Sequence, residues 1–261
     1  MRTIIVSLVL VLLPATALAY PTSVVFSPNG DAKPLGRVGL VGYGGMNVAP
    51  KATPSASWFC IQVGLLPQWK YPKSGVSFGG LEIGFDIITP VDTSQGAIVK
   101  PVLNVKLGAI AEGVHTPSVS VGLMEVSPSR PSMDFAYVSA SKTLRRGAPN
   151  ARSYGRVTLG FGVSAGDRTE FNGTFPFQNS PRALGAYETP LIAGRLGFML
   201  DYLGGTSEIS DTYLGAIFNI TNTTAVGAGA FLANDRANSP NDGAFFYLME
   251  TFDVTTLARK L

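Results

Sequence analysis

The chain is poor in the residues that build most exported proteins. It has one cysteine, Cys60, so no internal disulfide can hold it together. It has one histidine, His115, which leaves only carboxylate sites among the common metal chemistries. No metal or cofactor motif is present, so none is expected. Charged residues make up only 14% of the chain against 46% hydrophobic, an apolar balance for a secreted soluble protein. The formal net charge of +3 carries no Lys/Arg stripe and gives no reason to expect nucleic acid as a partner. After Leu13 no hydrophobic run approaches the roughly 20 residues that a helical membrane span needs.

What is present starts at the N-terminus. Met1-Arg2-Thr3 is a short positive start, Ile4 to Leu13 an apolar core, Pro14 a break, and Ala17-Leu18-Ala19 a small-residue cleavage site. This is the pattern of a cleavable signal peptide over residues 1–19, with an uncleaved anchor as the alternative. The expected mature chain is a single β domain, residues 20–261, with its core at about 37–252.

The apolar period along the chain is two. Phe59, Ile61, Val63 and Leu65 alternate with Cys60, Gln62 and Gly64. Leu81, Ile83, Phe85 and Ile87 alternate with Glu82, Gly84 and Asp86. The same dyad runs through Leu103 to Ala109, Ser118 to Leu123, Arg156 to Ser164 and Arg195 to Tyr202. Six such segments predict strands with one apolar and one small or polar face. Weaker patterns at Arg37–Met46, Met133–Leu144, Tyr213–Ile220, Ala225–Asn234 and Ala244–Phe252 bring the count to eleven. A twelfth strand is expected within Gly166–Pro190, at Val24–Phe26 or in the tail after Phe252; ten follow if weak segments merge.

The thin polar coat decides between architectures. A soluble sandwich or barrel points its large apolar residues inward and carries a heavily charged outside. Here the second face is mainly Gly, Ser and Thr, which suits a lumen, while the apolar face suits lipid. In lipid only a closed sheet pairs every backbone group. The expectation is an all-β, closed antiparallel up-and-down transmembrane barrel of about twelve strands. Trp58, Tyr154, Tyr202, Tyr213 and Phe252, near strand ends, are the expected interfacial girdles.

These alternating segments, with stretches such as Leu103-Asn104-Val105-Lys106-Leu107-Gly108 and Asp201-Tyr202-Leu203-Gly204-Gly205, resemble bacterial outer-membrane β-barrel proteins of the porin-like kind. The resemblance implies the Gram-negative outer membrane as location, its lipid as partner and small solutes as candidate cargo. The chain departs from the family by ending Ala258-Arg259-Lys260-Leu261 and not on an aromatic residue.

On the small face, Gln62, Glu82, Asp86, Asn104, Lys106, Arg156, Arg195 and Asp201 are the candidate lumen-lining residues. Either they wall a solute path, or they form a salt-bridged network that fills a narrow barrel. Inward glycines, among them Gly80, Gly84, Gly108, Gly160, Gly162 and Gly197, are expected to leave room. Mixed charge signs argue against strong ion selectivity. A weakly selective passive channel is the first expectation, a closed structural or surface barrel the second. A lipid hydrolase built on His115, Ser118 and Glu112 comes third, since residues flanking one tight turn rarely meet in that geometry. If Leu81–Ile87 and Leu103–Ala109 form a hairpin centred near Ser94, Lys106 faces Glu82.

Overall fold

A computed structural model describes residues 28–47, 56–71, 77–90, 100–126, 135–145, 152–164, 181–204, 211–234 and 242–254. The expected signal peptide, the alternative strand at Val24–Phe26 and the C-terminal tail from residue 255 lie outside these residues.

The described residues form fourteen strands: β1 (Arg37–Asn47), β2 (Ala56–Gly64), β3 (Gln68–Lys70), β4 (Ser77–Gly79), β5 (Leu81–Pro90), β6 (Lys100–Ile110), β7 (Ser118–Val126), β8 (Phe135–Arg145), β9 (Ser153–Ser164), β10 (Pro181–Glu188), β11 (Leu196–Leu203), β12 (Asp211–Asn219), β13 (Thr224–Ala233) and β14 (Gly243–Asp253). Twelve of them close into one antiparallel barrel in chain order, with β1 bonded to both β2 and β14. The short β3–β4 hairpin is inserted between β2 and β5. Gly79 and Gly80 there adopt φ of 88° and 100°, which only glycine takes without strain. All eleven expected strands are found, and the twelfth, β10, lies in the Gly166–Pro190 stretch.

The hairpin register is as the sequence predicted. Glu82 stands directly opposite Lys106, and Ile83 opposite Val105. Glu82 and Lys106 are both buried on the inner face at 4% exposure.

The outside of the wall is apolar. Phe85, Val121, Leu159, Phe198, Leu214 and Phe246 are all more than 40% exposed, and each belongs to a different strand. Among the described outward-facing side chains of the barrel strands, Lys142 and Glu250 are charged, and Arg145 is exposed at the end of β8. All three sit near the rim where β1 begins and β14 ends, called the terminal rim below. Tyr154, Tyr202 and Phe252 are exposed near strand ends, as expected of girdle residues. Tyr213 is not: it is 4% exposed and points inward. The side chain of Trp58 lies outside the described residues.

The inside has two unlike halves. Along β2, β5, β6 and β9, and on β7 up to Gly122, the described inward residues are small or polar, as the alternation implied; Met124 of β7 joins the apolar side. Along β10 to β14, at Phe135 and Tyr137 of β8 and at Tyr43 of β1, the interior takes large side chains, which the alternation did not predict. Tyr43 stacks on Phe245 (centroids 5.9 Å), Phe245 on Tyr247 (6.4 Å), and Tyr213 meets Phe245 edge-on (6.1 Å). A second cluster joins Phe135, Tyr137, Leu184 and Leu203.

Glycines make this packing possible, and here the expectation that they leave open space is corrected. Tyr247 lies across the ladder from Gly227, Phe245 from Gly229, and Phe231 from Gly243. A Cβ on Gly227 would stand 2.3 Å from the Tyr247 ring, and one on Gly243 2.3 Å from Phe231. Gly162, named in the sequence as a space-maker, is covered the same way by Phe135 at 2.4 Å. Each aromatic ring fills the volume its cross-strand or diagonal glycine vacates, so the pair behaves as one large residue in the wall.

Candidate functional site

Residues 28–36 do not belong to the wall. They enter the lumen and cross its terminal mouth on the polar side, between the ends of β1, β2 and β5 and those of β7 to β9. This is the site on which the interior converges.

The segment turns into β1 through Leu35-Gly36. The Gly36 amide donates to Gly64 O at 2.9 Å, the Arg37 amide to Pro34 O at 3.1 Å, and Val254 N to Gly36 O at 2.9 Å. Gly36 has φ of 77°, the left-handed conformation such a reversal requires. Gly64 is what lets the segment lie so close: a Cβ there would meet Pro34 O at 2.0 Å.

Inside, Asn29, Gly30, Asp31 and Lys33 each make polar contacts to the wall. Lys33 N donates to the Glu82 carboxylate at 3.0 Å, and Lys33 Nζ to Gln62 Oε1 at 3.1 Å. Ala32 packs against Gly80 and Gly108, where a Cβ on Gly108 would stand 3.1 Å from Ala32 Cβ. Asp31 forms an ion pair with Arg156 at 2.5 Å. Gly30 N donates to Ser141 Oγ at 2.8 Å. Asn29, 1% exposed, accepts at its carbonyl from Ser120 Oγ (2.9 Å) and Ser139 Oγ (3.0 Å), and at its amide oxygen from Lys106 Nζ (3.4 Å).

The wall beneath is a patch of hydroxyls. Ser118 and Ser141 face each other across β7 and β8, as do Ser120 and Ser139, while Thr158 of β9 faces Ser141. Ser120 and Ser139 hydroxyls are 3.1 Å apart and Ser141 and Thr158 hydroxyls 2.7 Å apart. All five residues are 1% exposed or less. Unpaired, such groups would each cost about 1–3 kcal/mol; the segment and their mutual bonds satisfy them.

Arg156 is the hub. Besides Asp31 it donates to Ser118 Oγ at 3.1 Å and lies 3.8 Å from Glu112. Glu112 in turn accepts from Thr143 N (2.7 Å) and Thr143 Oγ1 (3.0 Å) and pairs with Lys142 (3.4 Å). Residues 28–36 are thereby tied, through Asp31 and Arg156, to the turn between β6 and β7.

Of the eight residues singled out in the sequence, the structure brings Gln62, Glu82, Lys106 and Arg156 to this segment. Asp86 and Asn104 lie deeper, joined by a 2.7 Å bond from Asn104 Nδ2 to Asp86 Oδ2. Asp201 is fully buried in the interior on β11. Arg195 is a correction. It lies one residue before β11, in a turn where Ala193 and Gly194 have positive φ of 51° and 71°, and it is exposed. The alternation was extended one residue into that turn. The set weighed as a hydrolase is engaged elsewhere: Ser118 Oγ donates to Ser141 O at 3.2 Å, Glu112 holds Thr143, and His115 is exposed in the turn.

The sequence reading missed Asn29, Asp31 and Lys33 altogether. Its one usable signal was the paired Ser-x-Ser at Ser118/Ser120 and Ser139/Ser141, a polar repeat at strand period with no solvent-facing purpose. Among known proteins the chain matches no family model and no curated sequence, so the reading of the site rests on its geometry alone.

Proposed function

We propose that this chain is an outer-membrane β-barrel, exported by its N-terminal signal sequence, cleaved at about Ala19 and closed in the state described above. The observation that carries the membrane reading is the inversion of the wall. Large apolar side chains ring the outside, whereas buried Glu82, Lys106, Arg182, Asp201 and the hydroxyl patch line the inside. Soluble monomers rarely expose continuous apolar patches beyond a few hundred Å². Lipid is therefore the solvent that fits, and a closed barrel is the sheet form it admits.

Closure is supported by the near-zero exposure of the five hydroxyl residues and by the segment crossing the mouth. Barrels of about eight strands are filled by side chains alone; in this twelve-stranded one the aromatic clusters and residues 28–36 take up lumen space. The weakly selective passive channel expected from the inner glycines then describes a different state from this one.

Two experiments test the reading. Fractionation should place the mature chain, beginning at Tyr20, in the outer membrane; a chain soluble in the periplasm without detergent would overturn it. Purified, refolded protein should be nearly silent in a planar bilayer; steady conductance of the unmodified chain would overturn the closed state.

A further inference from the structure

A permanent filler has no need to be polar. Replacing buried ion pairs by well-packed apolar groups is often neutral or stabilising, and the other half of this lumen is filled that way. Residues 29–34 instead lie outside any strand and are held by hydroxyls, two ion-forming side chains and backbone bonds. Each of those wall groups can bond water at modest cost, since one internal hydrogen bond nets only about 0.5–1.5 kcal/mol over its hydrated form. The wall under the segment is thus one that tolerates being wet.

The polar surface also continues past the segment. From Gln62, Glu82 and Lys106 it runs along β2, β5 and β6 through Gly84 to Asp86, Asn104 and Cys60. These last three are partly exposed, whereas Glu82, Gly84 and Lys106 are buried. The track is thus partly accessible at Cys60, Asp86, Asn104 and Gln62, and buried at Gly84 and at Glu82 and Lys106, where Lys33 and Asn29 meet the wall.

Resting on the closed-barrel reading, we infer that residues 28–36 are a displaceable plug. Its withdrawal, hinged at Gly36, opens the β2–β5–β6 track to small ions and solutes. With Asp31 and Lys33 gone from the lumen, Glu82 and Asp86 remain on the track with Lys106, while Arg156 on β9 keeps Glu112. Charges of both signs thus line the open path and give it little preference between anions and cations.

The variants that displace the plug alter the segment alone. A side chain at Gly30 drives into the wall, because its Cβ would stand 2.4 Å from Ser118 O and 2.7 Å from Ser118 Oγ. Gly30→Leu should wedge the plug out. Asp31→Ala removes the ion pair by a milder route, leaving Arg156 with Ser118 and Glu112. The assay is planar-bilayer conductance in potassium chloride. It is paired with labelling of Ser139→Cys by a small charged thiol reagent in a Cys60→Ser background.

Both variants should conduct at least about tenfold above the unmodified chain, with weak cation/anion bias, and the thiol introduced at position 139 should become reactive. Variants that fold and expose this thiol yet stay silent would overturn the gate, since the plug would have left without opening a path. Variants that fold with the thiol still protected would overturn the plug's displaceability. An unmodified chain that conducts as well as the variants would instead overturn the closed-barrel reading.

Discussion

Leu159→Arg separates a membrane wall from a soluble one by the sign and size of a single stability change. Leu159 is 64% exposed on the outer face of β9. It lies six residues from the Ser153 end and five from the Ser164 end. At about 3.4 Å per residue and a tilt of about 40°, it stands roughly 16 Å from one rim and 13 Å from the other, close to the middle of a 25 Å apolar band. Arginine at the midplane costs about 2–4 kcal/mol, falling to about 0–1 near the interfaces. Val163, on the same face of the same strand and one residue from its end, is the matched shallow site. In a soluble barrel both positions are simply exposed, and either substitution would change stability by no more than about 0.5 kcal/mol. Reversible urea unfolding in phospholipid vesicles reads the difference. With a slope of about 2 kcal/mol per molar, Leu159→Arg should lower the midpoint by roughly 1–2 M and Val163→Arg by less than half of that. Equal, near-zero shifts at both sites would refute the assignment of the outer face to lipid.

Two further perturbations probe the interior. Lys106→Met leaves the Glu82 carboxylate buried without its cross-strand partner and should cost about 3–5 kcal/mol in the same assay; Glu82→Gln with Lys106→Met should recover most of that, and a double variant as unstable as the single one would show that the two do not act as a pair. Gly227→Ala forces a Cβ to within 2.3 Å of the Tyr247 ring and should cost about 1–3 kcal/mol; adding Tyr247→Leu should relieve it, and unchanged stability of Gly227→Ala alone would count against ring-over-glycine packing.

The parts of this fold that were legible in the sequence are those where the two faces of a strand differ in polarity. β5 and β6 alternate so cleanly that both their faces and the Glu82–Lys106 register could be read. β10 could not be placed beyond its neighbourhood, because Ala183-Leu184-Gly185-Ala186 is small or apolar on both faces and a period of two needs contrast to be visible. Tyr213 was misassigned for a related reason. In Tyr213-Leu214 and in Phe245-Phe246-Tyr247-Leu248 both faces are apolar, so the residues themselves do not say which rings go inside. The glycines across the ladder decide it, and they are contributed by a different strand. The plug was out of reach of any local pattern. It has no period, and its bonds join residues 49, 110 and 111 positions apart.

That division of the interior separates holding the barrel shut from holding it together. The aromatic stacks of β1 and β12 to β14 touch one another and their glycines, and none of the ring contacts among Tyr43, Tyr213, Phe231, Phe245 and Tyr247 involves residues 28–36. The ladder is complete without the segment too, since β1 pairs β14 over its whole length. Withdrawing the plug therefore exposes hydroxyls and charges that water can take over, while the apolar half and the hydrogen-bonded wall keep their contacts. Had the same segment been seated on the aromatic side, its departure would have uncovered apolar surface at about 25 cal/mol per Å² and loosened the packing that keeps the wall rigid. The seating against serines and threonines is thus the arrangement under which closure can be reversed at a cost of a few hydrogen bonds and one ion pair, with the barrel itself left standing.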